Sequence, residues 1–306
     1  MIKNFARRDF LKTAALAGLA FTTTTTIDFK KRKPLLSYST LGCPDWSFEK
    51  ILSFAVEHGF DGIELRGIQR QLDLTKCPEF SSKEKILAAR QLVAEKKLKI
   101  IDLGASSGMH HADTVIRKKN LDEAKSFIQL AQQLDCPFIR VFPNNFPKDQ
   151  EKNQTIDLIV KGLLELGDYA KGTGVTVLME THGDVVQIAD LEKIMQSAAH
   201  PNVGLVWDIV NMWSVTRETP AEAHAKLKKY IRHTHIKDMK LGDGKEKHTL
   251  MGTGNSPIFE AIDILSKDGY KGYYSFEWEK YWYPELEEPE VAIADYAKVM
   301  KQHFKI

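Results

Sequence analysis

Short apolar runs alternate with amphipathic stretches along almost the whole chain. Residues 35–40 form a run of strand length that ends at Leu41-Gly42-Cys43-Pro44. Ser47 then caps a helix with Phe48, Ile51, Leu52 and Ala55 on one face, and Gly59 stops it. Residues 60–65, 98–103 and 137–142 predict further strands, while 121–134 and 155–170 predict helices. Ser81-Ser82-Lys83-Glu84 is a capping box opening the helix that carries Ile86, Leu87, Leu92 and Val93. Strands at 175–180, 203–208, 231–236 and 272–277 continue the rhythm, with helices near 189–198 and 220–229. A long loop follows residue 236. Ser256-Pro257 then starts a helix in cap-and-first-position order, running to Gly269, and a last helix spans about 289–304.

Eight strands in strict alternation with about eight helices, without a linker, predict an α/β fold, a single (β/α)8 TIM barrel over residues 34–306. An open sheet of eight parallel strands is the alternative. No glycine-rich phosphate loop follows the first strand.

The N-terminus reads as an address. Arg7-Arg8-Asp9-Phe10-Leu11-Lys12 and the weakly apolar run from Thr13 to Phe21 predict a twin-arginine export signal. Thr22 to Thr26 and the basic cluster Lys30 to Lys33 predict a solvated tether, so residues 1–33 are set apart from the fold and the expected location is the periplasm. Lys3, Arg7, Arg8 and Lys12 against Asp9 and Asp28 hold the entire formal excess of +2, and the remainder is balanced. That balance excludes nucleic acid as an expected partner, and no further apolar run is long enough to predict a membrane span. Cys43, Cys77 and Cys136 are widely spaced, which predicts buried free thiols; a Cys43–Cys77 bridge is the alternative.

Four of the apolar runs end in a side chain that binds metals: Glu180, Asp208, His235 and Glu277. Strand tips hold side chains rigidly, and consecutive tips converge at the C-terminal face of a barrel. Three carboxylates and one imidazole suit one divalent ion (manganese, magnesium, cobalt or zinc) with positions open to water or substrate.

These residues, with Gly59-Phe60-Asp61-Gly62-Ile63-Glu64-Leu65, Glu180-Thr181-His182, His235-Ile236-Lys237-Asp238, Gly252-Thr253-Gly254 and Phe276-Glu277, resemble the sugar phosphate isomerase/epimerase superfamily of xylose isomerase-like barrels. The resemblance spans about residues 35–305. It implies that Glu180, Asp208, His235 and Glu277 hold the ion and that Glu180 and Glu277 pass a substrate proton. In many epimerases of this kind a histidine stands three residues after the strand-six aspartate. Here that position is Asn211, which can hydrogen-bond a hydroxyl but shuttles no proton.

Around this centre His182, Asn211, Lys237, Glu64 and His110 are candidate substrate contacts, and Trp46 and Trp282 candidate walls for the face of a sugar ring. Arg66 and Arg140 stand at strand tips where an anionic substrate or a structural ion pair would use them. The expected function is a metal-dependent isomerase or epimerase acting through an enediolate on a non-phosphorylated sugar, keto-sugar or cyclitol. A keto-sugar lyase or dehydratase using the same site is the alternative, and a non-catalytic carbohydrate-binding barrel the third reading. The expected partner is a small carbohydrate, with a homo-oligomer compatible and no stable membrane association.

Overall fold

Strands buried on both faces need continuous apolar runs, and Val203–Asp208 is buried at all six positions. The computed structural model describes residues 33–242 and 245–306; the expected export signal and nearly all of the tether lie outside them. The strands are β1 (Leu35–Ser39), β2 (Gly62–Leu65), β3 (Ile100–Gly108), β4 (Phe138–Phe142), β5 (Thr176–Glu180), β6 (Val203–Asp208), β7 (Ile231–Ile236), β8 (Asp238–Gly242), β9 (Lys245–Thr249) and β10 (Tyr273–Phe276). Seven of them, β1 to β7, pair in parallel in chain order, and β10 closes the barrel between β7 and β1. The expected (β/α)8 barrel is therefore present, and the open sheet is excluded.

The helices are α1 (Phe48–Glu57), α2 (Lys83–Glu95), α3 (Thr114–Leu134), α4 (Lys152–Ala170), α5 (Ile188–Ser197), α6 (Ile209–Thr216), α7 (Pro220–Leu227), α8 (Ile258–Lys267) and α9 (Pro289–Phe304). Ser47 caps α1 by accepting from the Lys50 amide, as expected. Ser82, not Ser81, caps α2. Two elements were not anticipated. Helix α6 begins directly after Asp208, whose carboxylate accepts from the Asn211 amide and so serves as N-cap. The stretch read as a long loop after residue 236 contains the antiparallel hairpin β8–β9.

Asp238 anchors that hairpin. Its carboxylate accepts from the amides of Met239 (2.8 Å), Gly252 (2.9 Å) and Gly254 (2.9 Å) and from the Ser256 hydroxyl (2.6 Å). Ser256 is thereby diverted from capping α8, and Pro257 takes the cap position without a side-chain bond. A Cβ on Gly254 would run into the Asp238 carboxylate and the Met239 carbonyl, so only glycine allows this approach.

Apolar side chains fill the space between strands and helices. The barrel interior is polar at the level of Glu64, which on β2 reaches His233 and His235 on β7 and Ser275 on β10. Strands β2 and β7 are not neighbours, so these side chains meet through the inside of the barrel. The three cysteines are buried free thiols, which removes the Cys43–Cys77 bridge. Among the described residues no helix is long and apolar enough to cross a membrane.

Candidate metal centre and substrate cavity

The tips of β5, β6 and β7 and the residue after β10 bring Glu180, Asp208, His235 and Glu277 together, with one donor atom of each within 4.8 Å of the others. The register explains the convergence: His235 lies beside Asp208 on one side and Ser275 on the other. His235 Nδ1 faces the three carboxylates, at 3.3 Å from Glu180 Oε1, 3.4 Å from Glu277 Oε1 and 3.8 Å from Asp208 Oδ2. The Thr181 hydroxyl joins two of the tips by donating to the Asp208 carbonyl and accepting from the Asp208 amide.

On its other side His235 Nε2 meets Glu64 Oε2 at 3.1 Å. An Nε2–H donated to Glu64 leaves the Nδ1 lone pair aimed at three carboxylates, an arrangement that requires a cation between them. The donors fit a divalent ion: hard carboxylate oxygens with a single imidazole, and no thiolate. Without that ion a proton fills the role. Burial would lower the His235 pKa, but Glu277, Glu64 and Glu180 outweigh it and hold it well above the ordinary histidine value. Burial likewise opposes ionisation of Glu277, yet His235 and Lys237 keep it well below the carboxylate range. Asp208 is pushed up by burial despite Lys237.

Lys237 is sealed in, with Nζ 2.8 Å from Asp208, 2.8 Å from Glu277 and 2.7 Å from Glu279. Burial would lower its pKa, but Asp208, Glu277 and Glu279 raise it, so it remains charged. On the opposite side Arg140 Nε lies 3.1 Å from Glu180 Oε2 and its Nη1 donates to the Ala105 carbonyl.

A cavity of about 230 Å³ opens onto this centre. Its lining includes Glu180 and Glu277, with Asp208 and His235 fully buried behind them. Of the candidate substrate contacts, His182, Asn211 and Trp282 line the cavity. Lys237 does not; it is held by three carboxylates. Three further candidates lie outside the lining. Glu64 is fully buried, where it meets His233, His235 and Ser275. Trp46 packs against Phe54 and under the Lys50 ammonium, outside the lining. His110 stacks on His111 at 3.9 Å and also lies outside it. Both Arg66 and Arg140 line the cavity, as do Leu41, Phe142 and Glu279. Glu279 was not anticipated; the only signal was its place two residues after Glu277.

The sequence profile of the xylose isomerase-like TIM barrel family matches residues 52–303. The chain belongs to that family. Among its relatives is an inosose isomerase of Halalkalibacterium halodurans, 24% identical over 235 residues covering 74% of this chain and 81% of the relative. Another is a 3-dehydroshikimate dehydratase of Bacillus anthracis, 23% identical, covering 71% and 78% respectively. The solved structure of the IOLI protein with a bound zinc atom superposes with a TM-score of 0.74 at 19% identity, over 88% of this chain and 97% of that one. The relatives thus include an isomerase and a dehydratase, and a solved structure of the same fold holds zinc.

Proposed function

We propose that the protein is a divalent-metal-dependent sugar isomerase or epimerase acting on a non-phosphorylated sugar, keto-sugar or cyclitol. One observation carries the reading: Glu180 and Glu277 both face the cavity while each also presents an oxygen to His235 Nδ1. A divalent ion held by Glu180, Asp208, His235 and Glu277 would supply Lewis acidity that acidifies a C–H beside a substrate carbonyl. Glu180 or Glu277 would then take that proton on a carboxylate oxygen, leaving an enediolate; the carboxylic acid so formed returns it to the neighbouring carbon (isomerisation), or the other glutamate, first protonated from solvent through the cavity, returns one to the opposite face (epimerisation). His235 and Arg140 lower the Glu180 pKa, and His235 and Lys237 that of Glu277, against the cost of burial, so either carboxylate can serve as the base. His182 and Asn211 offer hydrogen bonds to hydroxyls from the cavity wall.

His182 also supports a second reading. It lines the same cavity as the two glutamates and can protonate a departing hydroxyl, which would make the reaction a dehydration. The dehydratase among the relatives supports this second reading.

The paired arginines at residues 7 and 8 support export by the twin-arginine route, which makes the periplasm the proposed site of action. Replacing both by lysine should retain the protein in the cytoplasm, and unchanged export would end that part of the proposal.

The decisive experiment incubates metal-loaded protein with a panel of sugars, keto-sugars and cyclitols in deuterated water. Deuterium gained without loss of water is expected for an isomerase or epimerase. Loss of water would favour the dehydratase, and no exchange with any compound would overturn both.

A further inference from the structure

Metal binding and proton transfer use none of the positive charge that Arg66 brings to the cavity. Arg66 is 4% exposed and lines the cavity with Arg140. The charge of Arg140 is matched by Glu180 at 3.1 Å. Arg66 has no such match: its Nη1 donates to the Gly104 carbonyl (3.3 Å) and its Nη2 to the Ser106 hydroxyl (3.0 Å), and among the described residues it forms no salt bridge. Glu123, Glu277 and Glu180 act on it only from a distance. Two of its five N–H donors are used, which leaves a buried, unpaired guanidinium at a cavity wall.

The local sequence makes room for this pair. A Cβ on Gly104 would lie 2.7 Å from Arg66 Cδ and 2.9 Å from Arg140 Nη2, so a glycine on β3 lets the two arginines come together. Burial and the neighbouring Arg140 lower the Arg66 pKa to about 10, so it stays charged at neutral pH and the two cations repel. An unpaired buried charge is costly, and an anion in the cavity would offset that cost.

We propose that the substrate carries a carboxylate, so that the enzyme acts on a keto-sugar acid or related acidic sugar, and that Arg66 binds this group beside Arg140. The inference rests on the sugar-converting reading above and names its substrate class. A guanidinium fork can take a carboxylate or a phosphate with two parallel hydrogen bonds. A carboxylate fits better because Glu180, Glu277 and Glu279 line the same cavity and repel a dianion more strongly than a monoanion.

The test is calorimetric titration of metal-loaded protein with probes that differ only at C6. These are D-fructose, D-fructuronate and D-fructose 6-phosphate, and the matching set D-glucose, D-glucuronate and D-glucose 6-phosphate. At least one acid should bind tenfold or more tightly than its neutral counterpart. Arg66→Gln should remove that preference while leaving the affinity for the divalent ion and for the neutral sugar unchanged. Arg66→Lys, which keeps the charge without the fork, should retain part of it and serves if the glutamine variant misfolds. Equal binding of acid and neutral sugar, tighter binding of the phosphate, equal weakening of all probes by Arg66→Gln, or no binding of either acid would each overturn the proposal. Acid binding without deuterium exchange would instead count against the isomerase reading and leave the Arg66 subsite standing.

Discussion

Glu64 Oε2 lies 2.9 Å from His233 Nε2 and 3.1 Å from His235 Nε2, so one carboxylate oxygen on β2 fixes two imidazoles on β7. Burial would raise the Glu64 pKa, but His235 and His233 hold it well below the carboxylate range. His235, the one nitrogen donor of the candidate metal centre, is therefore backed by an anion. Glu64→Gln keeps the shape but removes the charge and, through its amide, one of the acceptors. Metal affinity should fall about 10–100-fold, measured by competition with a chelating dye. An unchanged affinity with an intact circular dichroism spectrum would show that Glu64 does not tune His235.

Metal binding should release a proton. The His235 pKa stands well above its ordinary value in the metal-free protein, so the ring is protonated at neutral pH and must lose the Nδ1 proton to bind the ion. Below that pKa, affinity should rise by about tenfold per pH unit, since one proton competes with one ion. Calorimetry in buffers of different ionisation enthalpy reads the proton directly, and zero released protons at pH 7 would contradict this geometry.

Asp102 is a buried carboxyl on β3 whose pKa is pushed up to about 8 by burial and by the charge of Glu64. The folded state therefore holds its proton at pH values where the unfolded chain, with a carboxyl near 3.9, has lost it. The stability it allows is complete at acid pH and is lost as pH rises from about 4 towards 8. Asp102→Asn cannot ionise, so its advantage over the wild type should grow with pH by up to about 1.4 kcal/mol per pH unit between the two pKa values and then level off. Urea denaturation of the metal-free proteins at pH 5 and pH 8 gives the comparison. A difference that does not change with pH would remove the ionisation as its cause.

Asp238→Ala should loosen the hairpin without emptying the metal centre. Four donors lose their acceptor, and leaving them unsatisfied costs about 1–3 kcal/mol. Limited proteolysis should cut between residues 238 and 256 faster than in the wild type, with divalent-ion affinity within a few-fold. A large loss of affinity would mean that the loop supports the ligands more directly than these contacts indicate.

The barrel was legible because short, mainly apolar runs recur between amphipathic stretches and several end in a polar residue, as Val203 to Trp207 before Asp208. The convergence of Glu180, Asp208, His235 and Glu277 was legible because a strand tip fixes both place and direction. Helix α6 was missed because its cap is Asp208 itself, a residue whose chemistry as a ligand hides its service as an N-cap. The hairpin was missed because Lys-Glu-Lys-His-Thr in β9 has no apolar alternation; its pairing depends on Asp238 clamping the glycines that follow. Glu64, Trp46 and His110 were read as substrate contacts because strand and loop order gives no information on which groups face each other across a barrel. Arg66 and Arg140 stood at visible tips, yet only the geometry separates the paired guanidinium from the unpaired one.

The Asp238 clamp also gives the mouth of the barrel an evolutionary division of labour. The base of the hairpin is bound to the end of β7, one residue past Lys237, while His248 on β9 comes within 3.8 Å of Glu279 at the cavity. Residues of the hairpin can therefore be exchanged, lengthened or shortened between the anchoring points at 238 and 252–256 without shifting His235. Such a chain can reshape the rim of its cavity by rebuilding one appendage while Glu180, Asp208, His235 and Glu277 stay in place.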